Sequence, residues 1–463
     1  MPTSNGHHAV HVLTKTPVEV NSEVLAFSQR ASRRFWWLVA ALAGLFLLGV
    51  VGFIIRLGNG LDERLPWGYY GATFMFILVA AGGAPIVSIG FRLVRNHWRR
   101  PLARAAELYA IVGPLLLLMF IPLLVLLPSA EGRRTIWFKS AWREGWPIGA
   151  PHAWDLLAVV GLAVMGLVLL WLAALPDLAT IRDQATGWRQ RWASRLAFQW
   201  RGTLRQWRVH KAALGVAGAL YFMFLVFTIT LLSSDFGLSF VPGWKDAIFP
   251  PTQALLALHS GLALTVLTMF LLRKYGGFSE YLGLDQFWSI AKILLALSLL
   301  WFYFWWSGFI TFWYGRTTTE QNLLRLFMTG PYAIPFIISF LFSFIIPMLT
   351  LIPNQVRKSI LGPTLVSVSI LIGNFFNQLR FYVASFSTET LTGIELEHVP
   401  QGHPPGAPDI LIIVGALAGV ALLFLLATRL VPVLSMWEVN EGVRLRVKGT
   451  FMGREVAILA KPD

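Results

Sequence analysis

HAWDLLAVVGLAVMGLVLLWLAALPDLATIRDQA, residues 152–185, decides the class of this chain. After Asp155 no charge appears until Asp177, and apolar residues do not alternate with polar ones. About 20 apolar residues at ~1.5 Å rise each cross the ~30 Å core of a bilayer as a helix. Membrane strands would alternate instead.

The pattern recurs along the chain. Ten helical spans are expected at 34–57, 67–91, 107–127, 154–175, 212–232, 250–272, 286–311, 331–352, 360–380 and 409–433. The expected fold is therefore all-α and polytopic. The composition agrees, with 56% hydrophobic and 13% charged residues. The net charge of +15 is not spread evenly. Segment 92–106 carries Arg92, Arg95, Arg99, Arg100 and Arg104, and segment 177–211 carries seven arginines and Lys211. Arg357, Lys358 and the tail (Arg444, Arg446, Lys448, Arg454) add to them, all on one side of a ten-span chain. The opposite loops are poorer: 233–249 has only Lys245, and 381–408 has Glu389, Glu395 and Glu397 with no Lys or Arg. The positive-inside rule puts both termini in the cytoplasm and makes nucleic-acid binding an unneeded explanation of the charge. One outer loop, 128–153, departs from the trend with Arg133, Arg134, Lys139 and Arg143. The first 29 residues are polar, and Arg30, Arg33 and Arg34 precede the first span, the pattern of a retained start-transfer helix. The Arg- and Trp-rich 177–211 loop fits an amphipathic helix on the membrane surface or a docking site.

Cysteine is absent, which excludes iron–sulfur ligation and covalent haem in this chain. Of nine histidines only His259 sits deep in a span, and one cannot supply both axial ligands of a transmembrane haem. Redox work by this chain would rest on a diffusible lipid carrier and on metal centres in partners. Ionisable groups at depth are functional candidates. His259 is either a proton relay or quinone ligand, or an interhelical hydrogen-bonding group. Asp155, three residues after His152, opens the fourth span, where a carboxylate also caps amides. Asp235 closes the fifth, where the helix dipole disfavours it. Carboxylates and a His near one face suit quinol oxidation, since both hydroxyl protons need acceptors. Lys292 snorkels or conducts protons. Glu107 opens the third span as a terminal charge or belongs to the same path. Asn374, Asn377 and Gln378 share one helical face. WFYFWWSGFITFWYG (Trp301–Gly315) combines an interfacial belt with deeper aromatics that line a quinone or lipid contact.

Four stretches resemble the polysulfide-reductase-type (NrfD/PsrC) integral membrane subunits: His152–Ala185 above, SSDFGLSFVPGWKDAIFPPTQALLALHSG (Ser233–Gly261), Trp313–Phe336 with WYG, RTTTEQNLL and GPYAIPF, and RLVPVLSMWEVNEG (Arg429–Gly442). The likeness is nearest to the larger such subunit of alternative complex III, a quinol-oxidising respiratory assembly. It implies two four-helix bundles, 67–232 and 250–380, flanked by helices 34–57 and 409–433. The cytoplasmic segment 1–33 precedes them and the tail 434–463 follows. It also implies a quinol site near the outer face, whose family carboxylates match Asp155 and Asp235; His152 beside them is a further candidate catalytic group. Trp154, Trp67, Tyr69 and Tyr70 are the candidate quinone contacts, and His259, Lys292 and Glu107 the candidate proton path. The cofactor would be menaquinone or another quinone. Partners would be an iron–sulfur or molybdopterin-type subunit on the outer face, with a second membrane subunit, cytochrome subunits and lipids. The setting would be a respiratory or photosynthetic complex of the bacterial inner membrane. The family's histidines in the second span, after the third span and before the Ser-Asp-Phe piece have no counterpart in GATFMFILVAAGG, LPSAEGRR and TITLLSSDF. A quinone-free scaffold or proton-translocating subunit is the alternative.

Overall fold

The computed structural model describes residues 15–127, 150–388, 395–451 and 454–459. Arg133, Arg134, Lys139, Arg143 and Glu389 lie outside the described residues. Among the described residues nine helices are long and apolar enough to cross a membrane. They are Arg33–Gly58, Leu65–Leu93, Ala103–Leu126, Pro151–Gln184, Leu204–Phe240, Phe249–Tyr275, Leu284–Gly315, Ala333–Leu351 and Ala407–Leu430. A further long helix, Leu361–Gln378, continues through a π-turn at Leu379–Val383 to Phe386. It is the ninth in chain order. Its Asn374, Asn377 and Gln378 are buried, so its polar face turns to protein and not to lipid.

The fourth and fifth helices run further than expected, to Gln184 and from Leu204, so much of segment 177–211 is helical. Between them lies one short surface helix, Trp188–Leu196, on which Trp188 and Trp192 remain exposed. The third helix begins at Ala103, not at 107, which carries Glu107 a full turn inside it. Helix Met436–Arg444 is followed by an antiparallel hairpin, Arg446–Phe451 with Arg454–Leu459. The N-terminal segment includes helix Pro17–Gln29, closed by a capping box of Thr16 and Glu19.

The second helix is the most enclosed, and it is interrupted. Gly68–Ala80 gives way to a turn before Ala84–Leu93 resumes with Pro85. Irregular backbone at membrane depth persists only where protein satisfies it. Here Tyr221 of the fifth helix donates to Gly82 O at 2.7 Å. Glycine is required at the crossing with the sixth helix: a Cβ on Gly83 would stand 2.1 Å from Ala257 O, and one on Gly261 2.4 Å from Gly83 C. The sixth helix thereby packs on both halves of the second as well as on the seventh and ninth. The first and tenth helices pair through small residues, with a Gly49 Cβ position 2.6 Å from Gly415 Cα. Arg56 and Asp409, 2.5 Å apart and buried, lock one end of that pair.

Candidate functional sites

The fourth and fifth helices run antiparallel, and Thr228 Oγ1 donates to Ala158 O at 3.0 Å between them. Asp155 lies about one turn outward from Ala158, ~4.5 Å along the axis, and Asp235 two turns outward from Thr228, ~10 Å. Both carboxylates therefore stand at the end away from the basic loops. Both are buried, at 0% and 2% exposure. His152 and Trp154 beside them are half-buried, and His152 Nε2 lies 3.1 Å from Leu127 O. The fifth helix ends in rings: Phe236 contacts Phe240, and both contact Phe386. Arg64 caps this cluster, its guanidinium 4.9 Å from the Phe240 ring centre. Burial pulls the Arg64 pKa down to about 10.

The candidate quinone contacts of the second helix spend their polar tips on backbone. Trp67 Nε1 donates to Gly60 O at 3.1 Å, Tyr69 OH to His403 O at 2.7 Å and Tyr70 OH to Met119 O at 2.7 Å. All three rings are buried, Trp67 wholly so and packed against Phe53 and Tyr70.

A second polar column runs through the other half of the molecule. His259 is wholly buried; its Nε2 lies 3.0 Å from Ser298 Oγ, and its Nδ1 lies 3.5 Å from Asn374 Nδ2. Asn374 also donates to Ser260 Oγ at 2.7 Å and accepts from Ser343 at 2.9 Å. One turn outward, Gln378 donates to Gln253 at 2.9 Å, and Ser339 and Arg380 both donate to Asn377 Oδ1. Lys292 is not in this column. It is exposed, 4.3 Å from the Trp288 ring centre, and Lys358 lies against the same ring at 5.0 Å.

Glu107 belongs to a third group, a buried charge cluster on the basic face. It pairs with Arg92 and with Arg104 (3.3 Å) and accepts from Ser88 Oγ at 2.8 Å. Arg104 also reaches Asp177 at 3.1 Å. Glu438 of the tail helix closes the set, 2.8 Å from Arg92 and 2.9 Å from Arg99. Three guanidinium groups thus face three carboxylates. Asp177 additionally accepts from Trp437 N at 3.0 Å, which docks the tail helix on the fourth helix. Sequence reading placed the arginines as loop charges and did not single out Asp177 or Glu438. A Glu five residues beyond the expected end of the last span at 433, among apolar neighbours, was the available signal.

Of the candidate residues, the structure brings Asp155, His152 and Trp154 to one helix end beside the end of the fifth helix that carries Asp235. It puts His259 and Glu107 in separate networks and Lys292 at the rim. Among the described residues no group of three or more His, Asp or Glu side chains is arranged to hold a metal ion.

Comparison with known families shows that the model described as "Polysulphide reductase, NrfD" matches residues 58–391. No curated protein matches the chain. The match spans the second to ninth helices and includes Asp155, Asp235, His259 and the glycine crossing. The chain accordingly belongs to the NrfD polysulphide reductase family, integral multi-pass membrane subunits of quinone-linked oxidoreductase complexes.

Proposed function

We propose that this chain binds quinol near the face opposite the basic clusters and that electrons pass to an iron–sulfur partner docked there, in an assembly of the alternative complex III kind. The observation that carries the reading is the pair of buried carboxylates, Asp155 and Asp235, at one end of two registered helices. Quinol oxidation releases two protons, and carboxylates at the outer rim are suitable acceptors. With Cys absent, no iron–sulfur cluster of this chain takes the electrons, so such a cluster belongs to the partner. Trp154 and the ring faces of Trp67, Tyr69 and Tyr70 would flank the quinone, menaquinone or another, and His152 would take the role of the missing family histidines. The basic face lies in the cytoplasm of a bacterium in this reading, by the positive-inside rule.

The polar column supports a second reading, proton conduction. Tyr109, two residues from Glu107, shares a 2.7 Å hydrogen bond with Thr268 of the sixth helix, the helix that carries His259. Polar groups thus occur from the basic-face cluster to Arg380 near the other face.

One experiment separates the two. In the purified complex, Asp155→Asn is expected to lower quinol turnover by about 10²-fold or more, the range for loss of a proton acceptor, with subunit composition unchanged. Normal turnover in that variant removes the quinol site from this location. Proton release in proteoliposomes that then fails in His259→Ala would favour conduction through the column.

A further inference from the structure

Arg380 is a charge inside a membrane helix, 4% exposed, and among the described residues it makes no ion pair. Its guanidinium lies 4.1 Å from the Phe381 ring centre and 5.1 Å from that of Phe336, and Nε donates to Asn377 Oδ1 at 3.0 Å. Cation–π contacts offset part of a buried charge, and a desolvated guanidinium still needs an anion. The group lines a cavity among the sixth, seventh and ninth helices and the segment after the seventh. Half of the lining side chains of that cavity are aromatic. Three further donors on the lining residues are buried with no partner, Trp301 Nε1, Trp305 Nε1 and Asn377 Nδ2, and a fourth, Trp244 Nε1, has only Asp246 beside it. Native proteins rarely leave such groups orphaned. One carboxylate, Asp246, also lines the cavity. It is not within ion-pair reach of Arg380; it accepts from Ile248 N at 2.9 Å, and burial raises its pKa above the ordinary value. At Gly308 the cavity is open: an added Cβ would meet only Asp246 Oδ2, at 3.9 Å.

A guanidinium and orphaned N–H donors call for a ligand rich in anionic oxygen. Aromatic walls inside a bilayer call for an apolar remainder. We propose that this cavity binds the phosphate head of an anionic phospholipid, with Arg380 as its counter-charge and an acyl chain leaving along the aromatic wall of the seventh helix. Basic pockets between membrane helices take such head groups. A soluble phosphate would satisfy Arg380 but gain nothing from the rings. The site is separate from Asp155 and Asp235 and stands whether or not quinol binds there.

The test is lipid retention by the purified complex containing this chain, measured by native mass spectrometry, followed by delipidation and titration with phosphatidylglycerol in phosphatidylcholine vesicles. Wild type is expected to keep one anionic lipid through purification. Arg380→Gln and Gly308→Leu are each expected to weaken phosphatidylglycerol binding about tenfold or more. The second variant fills open space and leaves the arginine in place, so it reports even if the first fails to assemble. Equal retention in wild type and Gly308→Leu overturns the proposal. So does saturation of the site by inorganic phosphate alone, or recovery of quinone in place of lipid with the same dependence on Gly308.

Discussion

Glu438 lies 346 residues from Arg92 in sequence and within a hydrogen bond of it in space. Removing one member of a buried ion pair strands the other charge, at a cost of about 3–5 kcal/mol. Glu438→Gln is therefore expected to lower the unfolding temperature in detergent and to open the tail helix to protease. Glu441→Gln, at the more exposed pairs with Arg100 and Lys211, should cost under about 1 kcal/mol. The pH dependence has a definite sign. Burial alone raises the Glu438 carboxyl, but Arg92 and Arg99 outweigh it and hold it below its ordinary 4.5. A depressed carboxyl contributes fully above its unfolded value and loses that contribution as pH falls through the folded one. The tail contact should survive neutral and mildly acidic buffer and weaken as pH falls below 4.5, which limited proteolysis across pH would read. Asp155, Asp235 and His259 were visible in sequence because each interrupts an apolar run. Glu438 and Arg380 were not, because the first lies beyond the last span and the second reads as the edge of a ninth helix that continues past it.

Apolar runs gave most of the long helices to within a few residues, since bilayer thickness sets their length, but the fourth and fifth extend past their apolar stretch to Gln184 and from Leu204. The runs did not give the break at 81–83, where hydropathy stays high while the backbone turns. Two glycines in AAGG were its trace, and their need becomes clear only when the sixth helix is seen crossing there. Gly261→Ala is expected to destabilise by about 1–3 kcal/mol, as overpacking does. Gly44→Ala, whose Cβ meets nothing within 4 Å, should be neutral or slightly stabilising. Thermal melts of the two variants side by side check this. The π-turns at Leu341–Ile345 and Leu379–Val383 were equally hidden, since they alter hydrogen bonding and not composition.

Chain order explains most of the architecture, because neighbouring spans pack as antiparallel pairs. Pairings beyond chain order are those of the sixth helix with the second and the ninth and of the first with the tenth, the last joining the two ends of the membrane body. That last pairing depends on Gly49 meeting Gly415 and Gly52 meeting Leu411 and Pro408, with Arg56 and Asp409 as its lock. Gly415→Leu should release the first helix from the body, lowering stability while the family core at 58–391 stays folded; crosslinking between the two helices would show the loss. The basic-face cluster has a consequence in time. The ribosome delivers Arg92, Arg99 and Arg104 to the membrane long before it makes Glu438, and until then three arginines face only Glu107 and Asp177. The cluster's charges balance only once Glu438 has been made. A polypeptide stopped before residue 436 would leave three guanidinium groups against two carboxylates at this buried site, with nothing in the place of the tail helix.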